Sequence, residues 1–398
     1  MGKNKNTGYL SALPIFMAFL CMGFGDAVGP LVSLVKETFS LSNFQAQLIS
    51  LSGFIMFGLL SIPLGILQDK KGKKLIMNIG LIIALTGLII PIFNGMYGPI
   101  VSGVEATQGR FFILLLSILL LGAGATTLQV VGNPIMRDVS PEGKYASNLS
   151  FAQSIKAIGS SLGFILPPVA VQFFNLDWSV LFPVYSVLIL INLIMFNSLR
   201  FEEKAVGTTG VATFSSCVKL LGNKYVLIMV FAIFLYVGAE VSMSSEVPIL
   251  LREEFGIKDF GLWVAWALFF LPILIGRFTG GIILRFLKPA NFLIITVSLS
   301  LIGLALIFTG IKTITFISIV LIGLGFANIF PLIFSITVDR MPERSNELSG
   351  LMVTAIVGGA ILPPVMGKVA DISSITFAFI VPFIAILYIL FVSIKSRT

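Results

Sequence analysis

Long runs of Leu, Ile, Val and Phe, separated by short polar segments, make up most of this 398-residue chain. The runs are apolar on every face and lack a period of two, so they predict helices rather than β-barrel strands. A helix needs about 20 mostly apolar residues to cross a bilayer. Twelve runs meet this requirement, at 9–35, 43–68, 75–93, 111–136, 147–172, 178–198, 224–250, 260–284, 290–310, 313–337, 348–367 and 375–394. The pattern predicts an all-α membrane protein with twelve transmembrane helices.

The widest polar interval divides these helices into two sets of six. It covers residues 199–223 and is rich in Gly, Thr and Ser. Such a composition is typical of a flexible linker. We therefore predict an N-terminal six-helix bundle at 1–198, a cytoplasmic linker at 199–223 and a C-terminal six-helix bundle at 224–398.

The two halves also repeat each other. The segment 121–124 (LGAG) recurs as 322–325 (IGLG), and 165–168 (ILPP) recurs as 361–364 (ILPP), each on the equivalent helix. Two parallel repeats suit a transporter in which two bundles rock around a central site. The alternative is that these glycines serve helix packing alone, and both interpretations can hold.

Composition agrees with a bilayer as the chain's surroundings. Hydrophobic residues make up 57% of the chain and charged residues 11%, and the mean hydropathy is +1.04. A soluble domain has about 45–50% apolar and about 25% charged residues. The net charge of +8 does not point to nucleic acid, because it follows the topology. With the N-terminus inside, eighteen of the 26 basic residues are cytoplasmic and six are outside. This bias predicts a plasma (inner) membrane protein with both termini cytoplasmic.

The inventory of reactive residues is small. The chain has no histidine and two cysteines, Cys21 and Cys217, which the topology separates by much of the bilayer. Histidine metal sites and Ser–His or Cys–His catalysis are excluded, and a disulfide is not expected. We predict no enzyme activity, no metal and no cofactor. Any proton carrier is expected to be a carboxylate.

Four charged residues fall inside predicted helices, where a central charge costs at least about 2.5–3.5 kcal/mol on insertion scales. Asp26 precedes Pro30 in a glycine-rich stretch and either couples a cation, binds a ligand or pairs structurally with another helix. Lys156 either forms a bridge with Asp26, binds an anionic group or gates the cavity. Glu240 either binds a polyol or makes a packing hydrogen bond. Arg277 is interpreted as part of an intracellular gate. Glu246 lies near the outer end and is left out of this set.

One short segment narrows the family. Residues 65–74 (GILQDKKGKK) place five charges in a predicted cytoplasmic turn between the second and third helices. This spacing resembles the signature loop of major facilitator superfamily transporters. The first, fourth and fifth helices further resemble the fucose:proton symporter family of sugar transporters, through Gly25-Asp26…Pro30, Gln129…Asn133-Pro134 and 151–154 (FAQS).

The resemblance implies the major facilitator fold and uptake of a monosaccharide such as fucose, galactose or glucose, driven by a proton or sodium gradient. It assigns cation coupling to Asp26. Two departures affect the mechanism. Gln129 stands where the symporter has a glutamate, and glutamine cannot carry a proton. Lys156 stands where the symporter has an asparagine. The alternative is therefore a facilitator or exporter of another small solute, in which Lys156 replaces the external cation or binds an anionic substrate.

The predicted site combines these residues with nearby amides and aromatic rings. The residues expected to bind sugar are Gln129, Asn133, Gln153, Glu240, Asn328 and Trp263. The residues expected to form gates are Gly65, Asp69, Gly72, Lys73, Arg137 and Arg277. Asp69 is expected to clamp the inner gate by contacting Arg137 and a helix N-terminus. The expected partners are the sugar, the coupling cation and the lipid bilayer, and we expect a monomer.

Overall fold

The computed structural model describes residues 7–97, 107–140, 145–198, 213–257 and 261–395. Within these ranges, twelve helices are long and apolar enough to span a membrane, as predicted. In chain order they are α1 Leu13–Thr38, α2 Asn43–Gln68, α3 Lys73–Phe93, α4 Gln108–Arg137, α5 Ser147–Phe174, α6 Trp178–Ser198, α7 Lys224–Glu253, α8 Gly261–Ile283, α9 Pro289–Ile307, α10 Lys312–Arg340, α11 Glu347–Ile372 and α12 Ile375–Lys395.

The helices pack as two bundles of six. The first bundle is built on α4 and α5, against which α1, α2, α3 and α6 pack. In the second bundle, α10 and α11 pack with α7, α9 and α12. The most extensive contacts between the bundles are those of α1 with α7, α2 with α11 and α5 with α8. Any side chain on those inner faces therefore lies between the two bundles.

Two of the long helices are interrupted beside charged or polar side chains. Helix α1 is interrupted at Ala27, directly after Asp26, and α10 is interrupted at Ala327 and Asn328. Proline explains part of both breaks, since it has no N–H to donate to the carbonyl four residues earlier. Pro30 and Pro331 thus leave backbone carbonyls of α1 and α10 available for other partners.

The described part of the predicted linker, residues 213–223, includes a helix. A short helix, Phe214–Leu220, begins with a capping box formed by Thr213 and Ser216. It buries Cys217 and Leu220 and packs against α2 and α11, so it contacts both bundles. The remainder of the predicted linker, residues 199–212, lies outside the described residues.

Close packing of α1 against α5 depends on two glycines. A Cβ atom added at Gly23 would lie 2.2 Å from the carbonyl oxygen of Lys156, and one at Gly159 would lie 2.1 Å from that of Leu20. Both distances are well inside van der Waals contact. Small residues at such positions let membrane helices approach closely. These glycines bring Asp26 and Lys156 to neighbouring faces.

We predict that Gly159→Ala destabilises the protein, whereas Gly350→Ala does not. The added methyl group at Gly159 must push α1 from α5, and overpacking of this kind costs about 1–3 kcal/mol. At Gly350 no atom lies within 4 Å of the added Cβ, and alanine is favoured over glycine in a helix by up to about 1 kcal/mol. The measurement is the thermal unfolding midpoint in detergent. Equal midpoints for the two variants would contradict the packing argument.

Candidate functional site

A small cavity of about 30 Å³ lies between the two bundles, near the middle of the spanning helices. Both bundles contribute polar side chains to its wall, and aromatic and branched side chains complete it. The lining residues are Asp26, Phe54, Gln129, Gln153, Lys156, Val237, Glu240, Val241, Ser244, Phe270, Arg277, Phe330 and Ile356. Four of these carry a formal charge, and the chain places all four within two ion pairs.

The N-terminal bundle supplies the first pair. Nζ of Lys156 lies 3.0 Å from Oδ2 of Asp26, with side-chain exposures of 10% and 25%. The same ammonium donates to Oε1 of Gln129 at 3.2 Å, and the Ser160 hydroxyl donates to Asp26 at 3.2 Å. A buried charge is stable only when it is paired and hydrogen-bonded. The bridge that the sequence left as one of several interpretations is thus formed in this conformation.

The C-terminal bundle supplies the second pair. Nη2 of Arg277 donates to Oε1 of Glu240 at 2.7 Å. Nε of Arg277 donates to the Ala327 carbonyl at 3.1 Å. This carbonyl receives no helical hydrogen bond from Pro331, because proline has no N–H. Its Nη1 donates to the Gln153 carbonyl of the other bundle at 3.4 Å. Arg277, expected in an intracellular gate, is therefore placed in the cavity wall, where it joins the two bundles.

The two pairs are arranged with partial symmetry. Their acids, Asp26 and Glu240, lie on α1 and α7, the first helix of each bundle. Their cations lie on helices that are not equivalent, α5 for Lys156 and α8 for Arg277. The charges of each pair also act on the other across the cavity. The site is electrically neutral as a whole, although it holds four charges.

The predicted amide ligands separate into two groups. Gln129 and Gln153 line the cavity, and Nε2 of Gln153 has no hydrogen-bond partner within the described ranges. Asn133 is fully buried one turn from Gln129, and neither polar atom of its side chain has a partner among those residues. Asn328 instead lies at the bundle interface, where it accepts from Ser150 at 2.8 Å and donates to a backbone carbonyl.

Trp263 lies away from the central cavity. It lines a second cavity of about 630 Å³ at the end of the bundles that the topology assigns to the outside. Trp178, Glu37 and Arg252 line the same space. The sequence showed the depth of Trp263 in its helix but not the direction in which its ring points.

The outer ends of the bundles are joined by reciprocal ion pairs. Lys36 at the end of α1 pairs with Glu253 of α7, and Arg252 of α7 pairs with Glu37 of α1. These four residues were not among the predicted gate residues. The sequence does contain a signal for them, because a basic–acidic dipeptide stands at the end of both α1 and α7. Asp371 of α11 further accepts from the first backbone N–H groups of α2, a favourable position for an anion.

The predicted inner gate is described only in part. Gly72 has a φ of +88°, which suits glycine, and it separates the helix Leu48–Lys71 from the helix that Lys73 begins. Gly65 has open space around it. The Asp69 side chain lies outside the described residues, so its contact with Arg137 remains a prediction.

Arg137 does have an electrostatic neighbour across the interface. Its guanidinium group, at the end of α4, acts on the Asp339 carboxyl near the end of α10. Elsewhere in the same interface, the Ser147 hydroxyl of α5 donates to the Gly281 carbonyl of α8 at 3.0 Å. The bundles are therefore in contact on both sides of the central cavity in this conformation.

Comparisons with known proteins agree with this architecture. The family model described as Major Facilitator Superfamily matches residues 15–364. The glucose/galactose transporter of Brucella abortus (strain 9-941) is 26% identical over 409 residues, covering 97% of this chain and 94% of the relative. The L-fucose-proton symporter of Escherichia coli (strain K12) is 25% identical over 413 residues, covering 92% and 90%. The resemblance found in the sequence is confirmed.

A solved structure establishes the fold. The crystal structure of the Major Facilitator Superfamily transporter FucP in the outward conformation matches this chain with a TM-score of 0.70 and 21% sequence identity. The match covers 96% of this chain and 98% of that one. The predicted arrangement of twelve helices in two six-helix bundles is confirmed.

A double-mutant cycle tests whether the buried pair is energetically coupled. Asp26→Asn and Lys156→Met should each lower the free energy of unfolding by up to about 3–5 kcal/mol, because each leaves one buried charge unpaired. The double variant should be less affected than the sum, by about 0.5–3 kcal/mol. The outer pair, tested with Lys36→Gln and Glu253→Gln, is the control and should couple by only about 0.2–1 kcal/mol. Additive effects at the buried pair would show that the bridge contributes nothing.

Proposed function

This chain belongs to the Major Facilitator Superfamily, and on that premise we propose that it is a secondary active transporter that takes up a monosaccharide by alternating access. It is an integral membrane transporter rather than an enzyme. The substrate class is supported by relatives named for glucose, galactose and fucose that match over nearly the whole chain. We place both termini in the cytoplasm, the chain in the inner membrane and its two bundles at 1–198 and 224–398.

The observation that carries the proposal is the polar cavity between the bundles. Amide and carboxylate groups of Gln129, Gln153 and Glu240 face one space, and such groups are suited to exchange hydrogen bonds with sugar hydroxyls. The unpartnered amides of Gln153 and Asn133 are buried donors or acceptors that a ligand can satisfy. Asn328 and Trp263 remain predicted ligands that require a change in the packing of the bundles.

From the size of the cavity we infer that the sugar binds in another conformation of the protein. About 30 Å³ corresponds to roughly one water molecule, whereas ligand sites measure about 300–1,000 Å³. A monosaccharide can enter only when the bundles move apart. In the closed cavity the four charges satisfy one another, so the empty protein can change conformation without leaving a charge unpaired. We infer that binding the sugar replaces some of these internal contacts.

Coupling is assigned to Asp26. A proton or a sodium ion bound to this carboxylate competes with Lys156, because each neutralises the same negative charge. Displacement of Lys156 from Asp26 then makes its ammonium group available to a sugar hydroxyl, while its contact with Gln129 is already formed. The cation and the sugar would thus favour each other's binding. This reciprocity is what a symporter requires.

The second candidate function rests on the same bridge. If Lys156 remains bound to Asp26 throughout the cycle, it acts as an internal cation and no external ion is needed. The protein is then a facilitator or exporter of another small solute. A variant of this alternative has Lys156 bind an anionic substrate. The two functions differ in their response to imposed gradients.

We predict that purified protein in proteoliposomes accumulates one or more of fucose, galactose and glucose when a pH or sodium gradient is imposed separately. Asp26→Asn should abolish accumulation but keep exchange of labelled for unlabelled sugar, because the uncharged side chain cannot bind the cation. Glu254→Gln, which removes an exposed carboxylate, is the control. Gradient-driven accumulation that survives in Asp26→Asn would exclude Asp26 as the coupling residue.

Lys156→Asn distinguishes the two candidate functions. For a symporter we expect gradients to drive the unmodified protein, and we expect the variant to retain that dependence with an altered pH profile. For an internally neutralised facilitator, the unmodified protein ignores both gradients and Lys156→Asn acquires proton dependence. Lys156→Arg keeps the cation and serves as the matched control. The measurement is initial uptake rate against external pH, with and without sodium.

A further inference from the structure

Glu246 is a buried acid that the proposed coupling mechanism does not use. It lies on α7, six residues beyond Glu240 toward the outer end, and its exposed fraction is 0%. Its position in the sequence suggested that it was close to the outside solution. In the structure it is instead enclosed where the two bundles meet.

The contacts of Glu246 cross the bundle interface. Nε2 of Gln47, at the start of α2 in the other bundle, donates to Oε1 of Glu246 at 2.8 Å and to the Ser245 hydroxyl at 3.0 Å. Gln47 and Ser245 are themselves fully buried. Oε2 of Glu246 has no hydrogen-bond partner within the described ranges of the chain. One carboxyl oxygen is therefore bonded to the opposite bundle and the other is unoccupied.

Glu246 differs from the acids of the central cavity because no cation is paired with it there. Asp26 and Glu240 each have a bonded cation, whereas no ion pair of Glu246 occurs among the described residues. The charged groups that act on it are Glu253 of its own helix α7, Lys36 of α1 and Asp371 of α11. Lys36 is the only cation of these three, and its ammonium group is bonded to Glu253.

Burial without a paired cation makes the ionised carboxylate unfavourable. A buried charge without a counter-charge is neutralised instead, and a carboxylate is neutralised by binding a proton. Because Gln47 and Glu246 belong to opposite bundles, parting of the outer ends must break their hydrogen bond. The carboxyl group then meets water, where its ionised form is stable.

We propose that Glu246 is a proton-binding site of the outer gate. When the outer ends close, Oε2 takes a proton from the external solution, and when they open, the proton returns to that solution. No other bond is formed or broken except the hydrogen bond with Gln47. External protons therefore favour the closed outer gate, in addition to any role that Asp26 has in coupling.

This inference rests on the alternating movement of the proposed function but not on the identity of the substrate. Linkage of one proton to closure changes the ratio of closed to open molecules by at most about tenfold per pH unit. Glu246 also gives the chain a proton-carrying group near the outside, whereas Gln129 in the central cavity cannot carry a proton. The prediction is a pH-dependent gate in the absence of any sugar.

The test measures the separation of the outer ends directly. Spin labels are attached to cysteines introduced at Phe112 of α4 and Ile311 beside α10, which are 67% and 57% exposed and lie on opposite bundles. The native Cys21 and Cys217 are both buried and are changed to serine. Distance distributions are recorded in vesicles without sugar, at mildly alkaline and mildly acidic external pH, each with and without sodium. Glu246→Gln, which mimics the neutral carboxyl, is compared with Glu246→Asp.

We expect acid to shift the unmodified protein toward the short distance by up to about tenfold per pH unit. Glu246→Gln should be closed at every pH, whereas Glu246→Asp and Asp26→Asn should keep the pH response. Glu246→Leu provides a second neutral variant if Glu246→Gln does not fold. A pH response that persists in Glu246→Gln or Glu246→Leu when Asp26 is also changed to Asn overturns the proposal. So does closure that follows sodium instead of protons.

The outcome is independent of the uptake experiments. If the gate responds through Glu246 while no hexose is transported, this inference stands and the sugar assignment fails. If hexoses accumulate while the gate distance ignores pH, the proposed function stands and the role of Glu246 is wrong.

Discussion

The requirement that a charge buried between membrane helices find a partner governs the centre of this protein. In water an ion pair contributes little, but in a low-dielectric interior an unpaired charge is costly and a paired one determines which helices must be neighbours. Asp26 and Lys156 join α1 to α5, and Glu240 and Arg277 join α7 to α8. Each bundle thereby neutralises its own central pair, so movement of the bundles separates neither of these two pairs, whereas the pairs at the outer ends cross the interface.

Backbone irregularities supply the remaining partners. Proline interrupts the hydrogen bonding of α10, and the released Ala327 carbonyl accepts from Arg277. The same guanidinium group reaches a backbone carbonyl of α5 in the other bundle. The polar contacts between the bundles in this region include hydrogen bonds of hydroxyl groups, such as that from Ser150 to Asn328. Such bonds can be exchanged for bonds to water or a ligand when the interface opens.

Much of this organisation could be predicted. Twelve spanning helices follow from hydropathy and length, and the division into halves follows from the linker and the repeated motifs. The cost of a buried charge was enough to select Asp26, Lys156, Glu240 and Arg277 as functional candidates. The pairing of Asp26 with Lys156 was one of the alternatives considered, because both lie at depths that allow contact. The signature at 65–74 identified the superfamily, but it carried no information about the substrate.

The sequence by itself determined the class, the number of helices and the set of charges that need partners, because hydrophobicity and charge act on each helix separately. Only the tertiary structure decided the partners, because these depend on the rotation of each helix about its axis and on its neighbours. That is why Arg277 lies in the wall of the central cavity, and why Trp263 faces the outer cavity. It is also why Glu246, near the end of its helix, is buried. The position of a residue along its helix determines its depth in the membrane, whereas helix packing determines the direction in which its side chain points.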